Sequence, residues 1–428
     1  MPERLKVLVV GGGGREHALV WKIAQSPLVE KIYCAPGNPG IAKSAELVDI
    51  KGTDIKALAD FAEANSIGLT VVGPESPLIA GIVDEFESRG LKIFGPCKAA
   101  AALEGSKAFT KDILQENNIP TAAYAVFTKF DEAAAYVKEY FAFSCEPLVV
   151  KADGEAAGKG VYICEDEHCA IESLKTVMVD RAFGNSGNKV VVEEFLTGPE
   201  ATIMGLVDGE TLATLIPVQD YKRVFDNDEG PNTGSMGCYA PVPILTEDIR
   251  DFVAEEIMVP TLKALKRKGI IFKGVLYAGV ILTEYGPKLL EYNCRFGDPE
   301  TQVVMPLMES DLVEVMLAVI DGRLDEIEIK WYNKKAVCVV IASGGYPGDY
   351  DTGMPIDGLL DAESAGATVF HAGTKVLNGS IATGGGRVLG VTALGDNYEK
   401  AIGTAYTAAD KIHFDKMHMR RDIGRRLL

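Results

Sequence analysis

The first hundred residues alternate short apolar runs with helical patterns, and the runs end in glycine turns. The apolar run at residues 6–10 is followed by four glycines at residues 11–14, and the run at residues 69–72 is followed by Gly73. Strands that alternate with helices in this way form a parallel sheet covered by helices on both faces. The sequence therefore predicts an α/β fold that begins with a doubly wound parallel-sheet domain. Ligands are expected at the carboxyl ends of its strands.

The pattern changes near residue 106, where strand pairs and glycine loops replace the regular alternation. Further strands and a final helix follow residue 331. A chain of 428 residues also exceeds what one hydrophobic core usually supports, roughly 250–300 residues. We therefore expect three packed domains, at residues 1–105, 106–327 and 328–428, of which the last is a small α/β domain.

Net charge restricts the partners that the chain can bind. The formal net charge is -18, and so acidic a protein repels a phosphate backbone, which argues against non-specific nucleic-acid binding. Phosphorylated ligands then require local clusters of lysine and arginine. The 8 cysteines form no CxxC pair, as in reduced cytosolic proteins. The sequence has no apolar run that could span a bilayer and no secretory signal pattern, so a cytoplasmic chain without membrane partners is expected.

The glycine turn at residues 11–14 continues as Arg15, Glu16 and His17. Glycines after a strand let backbone amides approach an anion at a helix N-terminus. A dinucleotide fingerprint needs a small residue where Glu16 stands and an acidic residue where residues 34–35 are Cys-Ala. Nicotinamide binding is therefore disfavoured. The segment predicts either a sugar-phosphate site, with Arg15 as guanidinium donor, or a structural tight turn.

Two lysines begin the central region. Lys107 follows Ser106 at a predicted helix start, where the helix dipole disfavours a cation unless it faces an anion. Lys111 lies one turn further along the same face. This placement suggests a nucleotide phosphate nearby, although each lysine taken alone fits a solvated surface position better.

A glycine-rich loop follows the strand that ends at Lys151. The loop contains Gly158, Lys159 and Gly160, which suits a mobile flap over phosphates. It is not a Walker sequence, because no Gly-Lys-Ser/Thr precedes a helix. An ordinary hairpin loop is the alternative interpretation.

An apolar strand at residues 190–192 ends in Glu193, Glu194 and Phe195. Such a strand end could offer backbone hydrogen bonds and an apolar wall to a purine, and Glu200 could accept hydrogen bonds from ribose hydroxyls. The pattern has little specificity by itself.

The most specific segment is residues 291–300, Glu-Tyr-Asn-Cys-Arg-Phe-Gly-Asp-Pro-Glu. On a strand of period two, Glu291, Asn293 and Arg295 share one face, whereas Leu290 belongs to the other. A carboxylate beside an amide oxygen suits Mg²⁺ with bound phosphates, and a neighbouring arginine adds a bidentate anion donor. A buried structural salt bridge is the weaker alternative.

A charged turn precedes a polar glycine loop at residues 230–237. Asp220 could bind an amino group, and Lys222 and Arg223 could bind a phosphate. A solvated charged turn explains this pattern equally well.

These segments, in this order, resemble the glycinamide ribonucleotide synthetase family of the ATP-grasp superfamily. The likeness runs from residues 11–18 through residues 231–234 and 295–300 to residues 385–390 and 421–424, and covers nearly the whole chain. The family implies an amino-terminal doubly wound domain, a central ATP-grasp domain with a flap subdomain at about residues 123–196, and a small carboxy-terminal domain.

The resemblance implies an ATP-dependent ligase of purine biosynthesis. ATP phosphorylates glycine, and the amine of 5-phosphoribosylamine attacks the glycyl phosphate to give glycinamide ribonucleotide, ADP and phosphate. The implied cofactors are ATP and Mg²⁺ (or Mn²⁺), the partners are these small molecules, and a monomer or weak homodimer is expected.

The resemblance also implies roles for individual residues. The implied ATP-binding residues are Lys107, Lys151, Gly158, Lys159, Gly160, Glu193, Glu194, Phe195, Leu196 and Glu200. The implied metal ligands are Glu291 and Asn293. The substrate-binding set is Gly13, Gly14, Arg15, Glu75, Lys222 and Arg223, and the catalytic set is Arg295, Asp298 and Asp220.

Two alternative functions remain open. One is another ATP-grasp purine enzyme, a carboxylase or a formate-using transformylase, although those lack the segment at residues 295–300 as it stands here. The other is a nucleotide-sensing or scaffold protein without turnover. Its only support is Glu155, a carboxylate in the flap where the family has an apolar residue. Tyr221 and Ser235 also depart from the usual histidine and glycine, and we expect both to affect only fine positioning.

Overall fold

The computed structural model describes residues 4–154 and 160–428. Three residues of the predicted flap, Glu155, Gly158 and Lys159, lie outside the described residues. None of the helices in the described part of the chain is long and apolar enough to cross a bilayer.

A five-stranded parallel sheet forms the amino-terminal part of the chain, as predicted, with the order β3-β2-β1-β4-β5. Its strands are β1 (Leu5–Gly11), β2 (Val29–Pro36), β3 (Glu46–Leu47), β4 (Leu69–Val72) and β5 (Ile93–Phe94). Its helices are α1 (Gly14–Ile23), α2 (Ile55–Ala64), α3 (Glu75–Ala80), α4 (Ile82–Ser88) and α5 (Lys98–Gly105). Residues 7–10 of β1 are all apolar because Val7 and Val9 pack into one core and Leu8 and Val10 into another.

The strand order reverses between β1 and β4, and this reversal opens a crevice at the carboxyl ends of the two strands. The glycine turn at residues 11–14 leaves β1 there, and Gly73 leaves β4. The sequence placed these turns at the carboxyl ends of the strands, and the topology confirms that position.

Two antiparallel sheets form the central region and lie on either side of a cleft. The first, which we call the flap sheet, has the order β6-β9-β7-β8, and the second, the floor sheet, has the order β11-β10-β16-β17. The flap-sheet strands are β6 (Tyr124–Phe127), β7 (Leu148–Ala152), β8 (Val161–Cys164) and β9 (Val190–Glu194). The floor-sheet strands are β10 (Glu200–Asp208), β11 (Leu212–Thr214), β16 (Lys273–Thr283) and β17 (Gly286–Asn293). The helices of this region are α6 (Lys107–Glu116), α7 (Phe130–Phe143), α8 (Glu167–Leu174), α9 (Glu247–Phe252), α10 (Val259–Arg267), α11 (Thr301–Leu307) and α12 (Leu312–Asp321).

A third sheet joins the central region to the carboxy-terminal part of the chain, with the order β12-β15-β18-β22-β19 and with β23 beside β18. Its strands are β12 (Gln219–Asp220), β15 (Gly237–Ala240), β18 (Lys335–Ser343), β19 (Thr368–His371), β22 (Arg387–Gly395) and β23 (Met417–His418). The remaining elements are two hairpins, β13 (Arg223–Phe225) with β14 (Glu229–Asn232) and β20 (Thr374–Leu377) with β21 (Ser380–Thr383), and helices α13 (Leu359–Ser364) and α14 (Tyr398–Ala409). Strands β12 and β15 precede residue 327 yet belong to this sheet, so the predicted domain boundary there remains a prediction.

The hydrophobic cores show which parts of the chain are joined firmly. One core contains Val9 of β1, Tyr277 of β16 and Cys338 of β18, so it unites the amino-terminal, floor and third sheets. The flap sheet has a separate small core around Val150 and Val192. The flap sheet is therefore the unit best placed to move relative to the rest.

Candidate active site

A cleft of about 470 Å³ lies where the crevice of the amino-terminal sheet meets the flap and floor sheets. The predicted residues that line it are Arg15, Glu75, Lys107, Lys151, Gly160, Glu193, Asp220, Lys222, Glu291, Asn293, Arg295 and Asp298. A second cavity of about 860 Å³ adjoins the cleft through Asp220 and Lys222 and adds Phe195, Leu196, Glu200 and Arg223. Gly13, Gly14 and Glu194 line neither cavity.

Two lysines enclose a buried glutamate at the flap-sheet end of the cleft. The Glu193 carboxylate lies 2.9 Å from Nζ of Lys151 and 3.1 Å from Nζ of Lys111. Burial alone would raise the pKa of the Glu193 carboxyl, but the two ammonium groups outweigh burial and hold this pKa below its usual range. Burial also lowers the pKa of Lys111 to about 8. The interpretation of Lys111 as a solvated lysine was wrong, because its side chain is only 3% exposed.

Lys107 connects helix α6 with the start of the flap loop. Its ammonium donates a hydrogen bond to the Gly154 carbonyl at 3.2 Å, and the Ser106 hydroxyl caps the helix at the Phe109 N–H. Burial lowers the pKa of Lys107, while Glu291 on the opposite wall acts in the other direction. The cation at this unfavourable end of the helix therefore faces the Glu291 carboxylate across the cleft.

The strand with the two predicted metal ligands contains a bulge. Strand β17 pairs Glu291 with Gly279 and Leu289 with Val280, which leaves Leu290 as an extra residue. Leu290 therefore lines the cleft beside Glu291, and the prediction that it shares the other face was wrong.

The donor set on this strand consists of hard oxygens. Glu291 is exposed to the cleft, and Oδ1 of Asn293 accepts one hydrogen bond, from Arg295 at 3.1 Å. Residues 4–154 and 160–428 contain no group of three or more His, Cys, Asp and Glu side chains that could hold a metal by itself. A divalent cation at this strand would therefore take its other oxygens from bound phosphates and water, as Mg²⁺ commonly does.

Arg295 lies between two carboxylates from the amino-terminal part of the chain. Its Nε is 3.2 Å from Glu75 and its Nη2 is 2.9 Å from Glu104. The Glu104 carboxylate also accepts a hydrogen bond from the Cys294 N–H at 2.7 Å. The guanidinium is thus oriented by its neighbours before any ligand binds, which limits how freely it could grip an anion.

A second cluster of charged side chains, centred on Lys222, lies at the floor of the cleft. Nζ of Lys222 lies 2.6 Å from Glu200 and 3.3 Å from Asp220. Burial would lower the pKa of Lys222, but the two carboxylates raise it well above its usual range.

Tyr277 donates a hydrogen bond to buried Glu300 at 2.9 Å, and burial together with Asp220 raises the pKa of that carboxyl.

The glycine turn after β1 is filled by the side chain of Glu16. Its carboxylate accepts hydrogen bonds from the Gly13 N–H at 2.5 Å and from Nε of Arg15 at 2.6 Å. A side chain at Gly73 would clash with Glu16, since an added Cβ would lie 2.0 Å from Oε1. The carboxylate thus occupies the amide that a dinucleotide would use. Nη1 of Arg15 also donates a hydrogen bond to the Phe296 carbonyl at 3.2 Å. Arg15 therefore reaches the edge of the cleft with most of its donors already hydrogen-bonded within the protein.

Sequence reasoning overlooked several residues that line the cleft. They are Glu104, Thr110, Tyr277, Glu300, Tyr346 and Arg387. Glu300 belongs to the most specific segment, residues 291–300, so its place in that segment could have identified it as a residue of the cleft. Arg387 lies in the segment at residues 385–390 that the family likeness includes, so that segment was an available signal. Its pairing with Asp298 across the molecule was not predicted.

The buried lysine–glutamate group leads to a stability prediction. Glu193→Gln leaves two buried ammonium groups without their counter-charge, and we expect the unfolding free energy to fall by about 3 kcal/mol. Urea denaturation at pH 7.5 measures this change. Glu194→Gln is the matched control, because Glu194 is 37% exposed and pairs with Lys288, so its loss should cost less than about 1 kcal/mol. If Glu193→Gln and Glu194→Gln lose the same unfolding free energy, Glu193 is not the counter-charge that stabilises the two buried lysines.

Family models match nearly the whole chain. The phosphoribosylglycinamide synthetase N domain matches residues 5–104, its ATP-grasp (A) domain residues 105–301, and its C domain residues 336–426. The chain is 52% identical over 427 residues to a phosphoribosylamine–glycine ligase of Vibrio cholerae, covering 99% of both chains. It is 50% identical over 428 residues to that of Escherichia coli strain K12, again covering 99% of both.

Solved structures agree with these relatives. The crystal structure of phosphoribosylamine–glycine ligase from Thermotoga maritima is similar with a TM-score of 0.85 at 33% identity, covering 98% of this chain and 100% of that one. A biotin carboxylase domain from Hydrogenobacter thermophilus, solved with MgADP, has a TM-score of 0.74 at 17% identity over 98% of this chain and 92% of that one, which shows a shared fold. With its three domain models matched in order and relatives at half identity over full length, the chain belongs to the phosphoribosylglycinamide synthetase family of ATP-grasp ligases.

Proposed function

We propose that this cleft joins glycine to 5-phosphoribosylamine at the expense of ATP, giving glycinamide ribonucleotide, ADP and phosphate. One observation carries the proposal. Lysines from α6 and the flap sheet, oxygen donors from β17, and the arginine–carboxylate group around Arg295 all line the same cleft. Phosphoryl transfer depends largely on positioning and charge neutralisation, and this arrangement provides both.

The nucleotide is proposed to lie between the flap and floor sheets. Lys107 and Lys151 would neutralise its phosphates, since both ammonium groups line the cleft. Phe195 and Leu196 line the adjoining cavity and would offer an apolar wall to the adenine. Glu200, on the wall of the same cavity, would accept hydrogen bonds from ribose hydroxyls.

A divalent metal, Mg²⁺ in this proposal, would be held by Glu291 and Asn293 together with the phosphates. The donor set fits it, because one carboxylate and one amide oxygen with open space beside them suit a cation that retains water and phosphate ligands. When bound, such an ion neutralises charge that develops on the phosphoryl oxygens.

The acceptor substrates are proposed to lie at the opposite end, near Asp220 and Arg295. Glycine's carboxylate would become glycyl phosphate, and the phosphoribosylamine nitrogen would attack its carbonyl carbon with loss of phosphate. Asp220 would hold that amine, while Lys222, already paired with two carboxylates, would orient Asp220. Arg295 and Asp298 would position the glycyl group.

Glycyl phosphate is readily hydrolysed, so the cleft must exclude water during turnover. Gly154 and Gly160, which bracket the flap loop, both line the cleft. Closure of this loop over the nucleotide would exclude water from the cleft.

The function is tested by following ADP release. We expect ADP to form when ATP, glycine and freshly prepared phosphoribosylamine are all present, and its rate to fall to background when glycine is omitted. A coupled pyruvate kinase assay measures the rate, and mass spectrometry identifies the ribonucleotide product. ADP release that is equal with and without glycine would refute the ligase assignment. A bound nucleotide without any turnover would favour the sensing alternative.

A further inference from the structure

Two side chains from the carboxy-terminal part of the chain grip the polar glycine loop at residues 230–237. The Tyr346 hydroxyl accepts a hydrogen bond from the Gly234 N–H at 2.9 Å. Nη1 of Arg387 donates to the carbonyl of the same Gly234. The amide and the carbonyl of one loop residue are therefore both bound by side chains from more than a hundred positions away.

The same guanidinium also binds the most specific segment of the chain. Nη1 of Arg387 donates to the Asp298 carbonyl at 2.7 Å, and Nη2 lies 3.5 Å from Oδ1 of Asp298. Gln302 donates to that Oδ1 at 2.8 Å, and the Arg15 N–H approaches Oδ2 at 3.4 Å. Asp298 is thus held from three directions, and Arg387 is the contact that comes from the third sheet.

The packing around Arg387 and Tyr346 is tight at Gly234 and leaves no space for a side chain at Gly386. A Cβ added at Gly234 would lie 3.1 Å from Cζ of Arg387 and 3.3 Å from the Tyr346 hydroxyl. A Cβ added at Gly386 would lie 2.4 Å from the ring of Tyr346. Glycines at these two places allow the close approach of loop, tyrosine and arginine.

We propose that Arg387, supported by Tyr346, is a positioning residue that sets the place of Asp298 and of the Gly234 loop at the acceptor end of the cleft. Arg387 lines the cleft together with both of these groups. Through Arg387 and Tyr346, the carboxy-terminal part of the chain thereby completes the site for glycine and phosphoribosylamine. This inference rests on the proposed function, because it assigns Asp298 to the acceptor substrates.

The proposal predicts a substrate-selective defect. Arg387→Gln removes the charge and the forked donor, and we expect kcat/KM for glycine and phosphoribosylamine to fall about 100-fold. The KM for ATP should stay within about twofold, since none of the nucleotide-end contacts changes. Arg387→Lys keeps the charge but has no planar fork for two carbonyls, so its loss should be about 10-fold.

Three further measurements separate positioning from general damage. Tyr346→Phe keeps the ring and removes only the hydroxyl at Gly234, and should lower the same kcat/KM about fivefold. Guanidinium at millimolar concentration should restore part of the activity of Arg387→Gln. Arg421→Gln is the matched control, because Arg421 forms an exposed pair with Asp410 in the same part of the chain, and its kinetics should match the unsubstituted protein.

Two results would overturn the proposal in a protein whose unsubstituted form shows glycine-dependent ADP release. One is unchanged kcat/KM for both acceptor substrates in Arg387→Gln. The other is an ATP KM that rises as much as the acceptor KM values in both Arg387→Lys and Tyr346→Phe. If Arg387→Gln does not fold, these two milder variants decide the question. Failure of the proposed function is recognised separately, because the unsubstituted protein would then lack glycine-dependent turnover.

Discussion

Replacing Glu291 and Asn293 together by alanine should lower kcat by about 1,000-fold or more, while the protein stays folded. The two side chains are the oxygen donors of β17 and project into the cleft without supporting any core. Without them a divalent cation would be held by phosphates alone, and the charge on the transferring phosphoryl group would be poorly neutralised. A loss of this size corresponds to about 4 kcal/mol of transition-state stabilisation, in the range that a bound metal supplies.

The double variant is best compared with Glu284→Ala. Glu284 is an exposed carboxylate at the turn between β16 and β17, so the control removes a negative charge from the same hairpin. Steady-state turnover measures the fall in kcat. Electron paramagnetic resonance measures the loss of nucleotide-dependent Mn²⁺ binding. The assignment fails if the double variant keeps more than about a tenth of the turnover or binds Mn²⁺–nucleotide as the control does.

Periodic patterns in the sequence predicted much of this architecture. The alternation of strands and helices predicted a parallel sheet covered on both faces, and the structure shows Val9 and Leu8 of β1 in different cores. Period-two alternation placed Glu291 and Asn293 on one face, and both line the cleft. These features are local, since each depends on a residue and its near neighbours along one element.

The features that the sequence did not reveal depend on distant parts of the chain. The bulge at Leu290 is set by the pairing of β17 with β16, and alternation within one strand cannot show an extra residue. Lys111 is buried because Glu193, far along the chain, supplies its counter-charge. Arg387 reaches Asp298 from another sheet. Each of these features depends on contacts between residues far apart in the sequence, which the periodicity of a single element does not contain.

A pair of histidines should make the protein acid-sensitive. His17 in α1 and His371 at the end of β19 lie with their ring centroids 5.6 Å apart, where the amino-terminal part of the chain meets the third sheet. The His371 N–H donates to Nδ1 of His17 at 2.7 Å. The backbone of Gly40 packs on both rings, because a Cβ there would lie 2.4 Å from His371 and 2.5 Å from His17.

Burial holds both imidazoles in the neutral form. Nδ1 of His17 already accepts a hydrogen bond, so protonating that nitrogen would break the contact. Nε2 of His371 is buried and lacks a hydrogen-bond partner in the described part of the chain. Burial is the main cause that lowers the pKa of His17 to about 3, with His371 and Lys43 adding to it. Burial and Lys43 lower the pKa of His371 to about 4, against a weaker opposing effect of Glu363.

The direction of the pH effect follows from these lowered values. An unfolded histidine has a pKa of about 6.5, so below that pH the unfolded chain binds protons that the folded protein refuses. The stabilisation is complete above about pH 6.5 and decreases as the pH falls toward 4. Between pH 7.5 and 5.0 each histidine should lower the unfolding free energy by about 2 kcal/mol, or about 4 kcal/mol for the pair.

Urea denaturation at the two pH values measures this loss, and His17→Asn isolates the contribution of the pair. The asparagine carbonyl can still accept from the backbone N–H of His371 but cannot titrate, so the His17 share of the loss, about 2 kcal/mol, should disappear. His413→Asn serves as the control, since His413 is exposed and its replacement should leave the pH dependence as it is. If His17→Asn loses as much stability between pH 7.5 and 5.0 as the unsubstituted protein does, the paired histidines are not the source of the acid sensitivity.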